Sequence, residues 1–186
     1  MRTIRAQRPW MAMAAGMVVA LAACCGSRSG TATPDAEAAA FLGADAVAIL
    51  AAPDRIESFR VARVIGKAPD PTKAIAGVER LAGGPLLDAA QTAQVRDLLF
   101  AEDSYEFDLA KACDPVPGVL LRAWQGGRYA DLYLCFECLM WAVSVDTPID
   151  RFPPIREWED FDPVQRPLVA LVKALFPADA AIQALR

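Results

Sequence analysis

The sequence predicts an α+β fold: one domain with an antiparallel sheet that includes a Gly-Gly hairpin, flanked by helices. Three observations carry this. The β-forming runs "GVLLRAWQ" and "RYADLYLCFECLMWAV" flank Gly126-Gly127, a two-residue hairpin signal. "LDAAQTAQVRDLLF" places Asp88 as an N-cap and Gln91 three residues on as its capping-box partner, which marks a helix start. "PLVALVKALF" spaces its apolar residues along one helical face, with Pro167 near the first turn, where a missing N–H costs little.

The remaining elements follow in chain order from residue 35 to 186. "DAEAAAFLGADAVAIL" is alanine-rich and predicts one helix, stopped at Pro53. "RIESFRVARVIG" is rich in β-formers and predicts a first strand, and after the loop "KAPDPTKA" the stretch "GVERLAG" predicts a short second one. Gly83-Gly84 sits in a turn context. Beyond Val145, "DTPIDRFPPIREWEDFDPVQRP" holds five prolines and reads as an extended surface loop, and "ADAAIQALR" as a short last helix. There is no internal repeat.

A tight Gly-Gly turn fixes the hairpin register. Gln125 then faces Arg128, Trp124 faces Tyr129, and Arg122 faces Asp131 as an opposite-charge pair. Val119, Leu121, Ala123, Ala130, Leu132, Leu134 and Phe136 fall on one face, the core side. The other face carries Leu120, Arg122, Trp124, Tyr129, Asp131, Tyr133, Cys135 and Glu137, with Leu139 and Trp141 further along. Aromatics mixed with charges suit a contact face; the alternative is a sheet face half-covered by the proline-rich loop.

Three cysteines lie in the domain: Cys113, Cys135 and Cys138. A c-type haem needs C-x-x-C-H, but residue 139 is Leu and the chain has no histidine. A thioredoxin-like pair belongs at a strand-to-helix junction, whereas "CFEC" lies in an apolar run. In a continuous strand its two Cα atoms stand about 10 Å apart on opposite faces, beyond the reach of about 7 Å for a disulfide. Extending the hairpin brings Cys113 near Cys138, so the expected disulfide is Cys113–Cys138, leaving Cys135 a free thiol; Cys113–Cys135 is the runner-up. A rival is a zinc set of Cys113, Cys135 and Cys138 with Asp114 or Glu137, although "CFEC" lacks the glycine of a knuckle turn.

The N-terminus reads as targeting. Arg2, Arg5 and Arg8 precede the fourteen-residue apolar stretch Trp10 to Ala23, short of the roughly 20 residues that span a bilayer. It ends in Leu21-Ala22-Ala23-Cys24. This "LAAC" resembles the lipobox of bacterial lipoprotein precursors. The resemblance implies a signal peptide over 1–23, cleavage before Cys24 and acylation of Cys24, each buried CH₂ contributing about 0.8 kcal/mol. It also implies an outer-membrane location facing the periplasm, because Cys25 rather than Asp follows the modified residue. Residues 24–34, ending in "GSRSGTATP", are then a flexible tether. The leader holds three of nineteen basic residues and none of the twenty-three acidic ones, so the remainder carries a side-chain charge of −7. Such a balance, without a basic run, makes the chain a poor candidate for binding nucleic acid or an anionic membrane surface.

Without histidine, Ser-His-Asp and Cys-His catalysis are unavailable. Glu157, Glu159, Asp160 and Asp162 form a carboxylate cluster that suits a solvated acidic loop better than a hydrolase. "SYEFDLAKACDPVPGVLLRAW", "LCFEC" and "ALVKALFPADAAIQAL" are similar to uncharacterised bacterial envelope proteins, a resemblance that implies no activity. The expectation is a lipid-anchored envelope protein with a non-catalytic binding or scaffolding role and no cofactor besides the covalent lipid. Its partners are the membrane, through that lipid, and another envelope protein. The alternative is a thiol or zinc module.

Overall fold

The computed structural model describes residues 33–63, 68–148 and 158–186. The leader, Cys24, nearly all of the tether and residues 149–157 of the proline-rich stretch lie outside the described residues.

Seven strands form one antiparallel sheet in the order β2-β3-β1-β4-β5-β6-β7. These are β1 Arg55–Ala62, β2 Ala74–Ile75, β3 Val78–Gly83, β4 Val119–Gln125, β5 Arg128–Cys135, β6 Met140–Val145 and β7 Glu159–Asp160. The helices are α1 Ala36–Leu42, α2 Ala44–Ala51, α3 Ala89–Phe100, α4 Gln165–Leu175 and α5 Ala180–Gln183.

The β4–β5 register is the one the Gly-Gly turn dictates, with Arg122 opposite Asp131 and Trp124 opposite Tyr129. Its inner face, from Val119 to Leu134, is buried against Leu42, Ile49 and Leu50 of the first two helices and Leu99, Leu168 and Val172 of α3 and α4. Each fully buried Leu or Val there contributes about 1.5–3 kcal/mol. At α3 the Asp88 side chain accepts the Gln91 N–H and the Gln91 side chain accepts the Asp88 N–H, a complete capping box. A smaller core lies on the other sheet face, where Val61, Ile75, Ala76, Val78, Leu120 and Tyr133 pack together. Here the Tyr133 hydroxyl donates to the Ala76 carbonyl at 3.1 Å, fastening the β2–β3 turn onto β5.

Three expectations are corrected. The single N-terminal helix is two, because Gly43 takes φ +76° and ends one helix while starting the next. The long strand after Gly127 is two strands, β5 and β6, joined by a turn at 136–139 with Leu139 at φ +54°. The carbonyls of that turn are satisfied from outside it: the Phe161 N–H donates to Leu139 O and the Lys111 ammonium to Cys138 O. The loop expected at 159–160 is the edge strand β7, with Glu159 opposite Trp141 and Asp160 opposite Met140.

Candidate functional site

The turn at 136–139 changes the geometry of the sulfurs. Cys113, in an irregular segment between α3 and β4, forms a disulfide with Cys138 across a Cα separation of 6.0 Å. Cys135 ends β5 as a free, fully buried thiol. Because the chain reverses between them, Cys135 and Cys138 are not on opposite faces as a continuous strand requires. They share one buried cluster with Met140, against Trp158. In this form two of the three sulfurs of the zinc alternative are consumed by the disulfide, so no three-thiolate set exists.

Beside the disulfide, Lys111 gathers acceptors. Its Nζ pairs with the Asp160 carboxylate, with Asp162 Oδ1 at 3.1 Å, and with the Cys138 carbonyl at 3.1 Å. Burial disfavours the Lys111 charge, but the two aspartates outweigh that and hold its pKa above the ordinary lysine value. Asp160 is not the solvated acid of a surface loop: it is 1% exposed, and its Oδ1 accepts the Asp162 N–H. Glu106, Asp160 and Asp162 offer carboxylate oxygens within 4.8 Å of one another, but the ammonium already pairs with two of the three carboxylates.

The face holding Arg122, Trp124, Tyr129, Asp131 and Tyr133 is not an open contact surface. Arg122, Asp131 and Tyr133 are buried, and only Trp124 and Tyr129 are half-exposed. Glu57, Arg122, Asp131 and Ser144 form one transverse row across four strands. Within it the guanidinium grips Asp131 through two bonds of 2.7 and 2.9 Å. Its Cζ lies 4.1 Å from the Tyr129 ring centroid, and Trp124 Nε1 donates to Glu57 at 2.9 Å. Burial pushes the Asp131 carboxyl up, against the opposite pull of Arg122. Every polar group in this row has a partner, so it builds the sheet rather than presenting a ligand site. Trp141, expected on this side, instead faces the main core opposite Leu134, because the turn inverts its facing.

A concave surface lies elsewhere, between the first turn of α1 and the segment after α3. A cleft of about 620 Å³ is lined by Glu37, Glu102, Asp103, Tyr105, Glu106, Phe107, Asp108 and Leu109. Tyr105 is buried and donates its hydroxyl to the Leu99 carbonyl at 2.7 Å, and burial raises its pKa beyond the ordinary tyrosine range. Phe107 stacks on it with centroids 4.6 Å apart. The rims are tied together: Asp35 N donates to Phe100 O, and the Asp35 carboxylate accepts the Glu102 N–H. The sequence reading passed over this cleft, although the alternation of acid and aromatic in "EDSYEFD" was its available signal.

Comparison of the chain with protein families, with curated proteins and with solved structures finds no match.

Proposed function

We propose that this protein is a lipid-anchored cell-envelope binding protein. Residues 1–23 direct export, acylated Cys24 inserts in the outer membrane, and residues 24–34 tether the domain of 35–186 on the periplasmic side. The observation that carries this reading is the Cys113–Cys138 disulfide, which fits an oxidising compartment and agrees with the "LAAC" leader. The role is binding rather than turnover. The chain has no histidine for acid–base or nucleophilic work, and its acidic–aromatic cleft is a recognition surface.

The test is expression of the full chain in a Gram-negative host with radiolabelled palmitate, followed by intact mass and membrane fractionation. The expected product starts at Cys24, carries label and sediments with the outer membrane. Cys24→Ser is expected to accumulate as an unlabelled precursor. Label that survives Cys24→Ser, or an unlabelled chain in the soluble periplasm, sinks the anchor.

A further inference from the structure

We infer that the cleft between α1 and the segment 102–109 docks an arginine-bearing, partly apolar peptide segment of a partner protein. The inference rests on the binding role proposed above and names the partner's chemistry. Glu37, Glu102, Asp103, Glu106 and Asp108 are all exposed, and none forms an ion pair with a basic side chain of the described residues. Several acids outside the cleft do form ion pairs: Asp45 and Asp146 share Arg128, Asp179 holds Arg60, and Asp160 and Asp162 hold Lys111. Five carboxylates around one concavity, with no ion pair among the described residues, give a negative potential that a cationic side chain complements.

Charge alone would describe any acidic surface. The floor is what narrows the occupant. Phe107 leans one ring face on buried Tyr105 and lines both this cleft and its neighbour of about 420 Å³, which Phe41 and Glu159 also line. An aromatic ring ringed by carboxylates suits a planar guanidinium, which stacks on the ring while its N–H groups reach the acids. Leu109, 45% exposed at the same cleft, offers a seat to an apolar neighbour of that arginine. A volume of about 620 Å³ accommodates side chains rather than a bare ion. The rims are preset by the Asp35 bonds and by the Glu106 N–H donating to Asp160 O at 3.3 Å, so little ordering is lost on docking.

The test uses the full chain in neutral detergent and a fluorescein-labelled peptide of alternating Arg and Leu, read by anisotropy. The same peptide with Glu in place of Arg, and spermidine and calcium as competitors, are run beside it. Saturable binding of the Arg-Leu peptide is expected, weakened about fivefold by Phe107→Ala and by the pair Glu106→Gln, Asp108→Asn. Phe107→Tyr is expected to bind normally, which separates loss of the ring from loss of the fold. Asp97→Asn on α3, which does not line the cleft and is paired with Arg96, is expected to change nothing. No saturable binding overturns the proposal. So does an equal loss from Asp97→Asn, which means unspecific attraction, or full competition by calcium with Phe107→Ala unaffected, which means an ion site. The Cys24→Ser chain is measured in parallel: binding there without acylation upholds the cleft even when the anchor fails.

Discussion

The Lys111 ammonium donates to the Cys138 carbonyl, so the segment carrying Cys113 is held to the β5–β6 turn by a charge as well as by a covalent bond. The same ammonium is the counter-charge of Asp160, a carboxylate with no other cation on it among the described residues and almost no exposure. Lys111→Met keeps the stem and removes the charge, stranding a buried carboxylate. The expected loss is about 3 kcal/mol in urea unfolding. Lys111→Met with Asp160→Asn is expected to recover part of it, because the stranded charge is gone. A double-variant loss equal to the sum of the separate Lys111→Met and Asp160→Asn losses would mean that the pair is not coupled.

Thiol chemistry offers a second check. With Cys24 and Cys25 replaced by serine, the folded chain is expected to resist alkylation, since Cys135 is buried and the other two sulfurs are bonded. Unfolding without reductant should expose one thiol, and unfolding with reductant three. Replacing Cys113 and Cys138 by alanine opens a cross-link between residues 25 apart, an expected cost of about 3.5 kcal/mol in the chain-entropy picture. A second thiol in the unreduced, unfolded chain would overturn the assigned disulfide.

The features legible in the sequence were those that local rules decide. The Gly126-Gly127 turn fixes seven cross-strand pairs at once, and Asp88 with Gln91 needs only three residues of chain to cap α3. What escaped depends on distant partners. Nothing in "CFECL" announces a turn, because the groups that satisfy its carbonyls are Lys111 and Phe161, each more than twenty residues away. That hidden turn moved Trp141 to the core and brought Cys135 beside Cys138. The disulfide was found because it needs only neighbouring sulfurs, not the correct strand path. Gly43 was visible but read as a helical residue, since alanines on both sides argue for helix and only its positive φ breaks it. Four of the cleft's acids are adjacent in "EDSYEFD", but the concavity needs Glu37 from a segment some sixty residues earlier, joined by Asp35, and that approach is not written in the local sequence.

Acid should act on the last helix. Asp179 caps α5 by accepting the Ile182 N–H, and it pairs with Arg60 at 2.7 Å. Those contacts hold its carboxyl below the ordinary aspartate value, the backbone bond first and Arg60 next. A folded pKa depressed below the unfolded value near ~3.9 gives stability that is present above that value and is lost as pH falls through the folded one. Asp179→Asn keeps a good cap and removes only the charge. It is expected to lower stability at neutral pH by up to about 1 kcal/mol, since the pair is partly exposed. The gap from the unsubstituted chain should close as pH drops below about 4. A gap independent of pH would mean that the charge contributes nothing.

The adjacent glycines at the end of β3, Gly83 and Gly84, should behave oppositely. A Cβ placed on Gly84 would strike the Ser58 hydroxyl and come within 2.7 Å of the Phe176 ring. Neither neighbour yields easily. Ser58 is buried with its hydroxyl donating to the Pro85 carbonyl at 2.7 Å, and Phe176 is packed in the main core beside Leu175. Overpacking at such a site costs about 1–3 kcal/mol, and displacing Ser58 also strands the Pro85 acceptor. A Cβ on Gly83 meets nothing within 4 Å and its backbone is not in the left-handed region. Gly84→Ala is therefore expected to shift the urea midpoint down by that amount, while Gly83→Ala stays near the unsubstituted value or slightly above it, through loss of unfolded-state freedom. Two variants of equal stability would mean that β1 and the end of α4 do not approach Gly84 as closely as the packing requires.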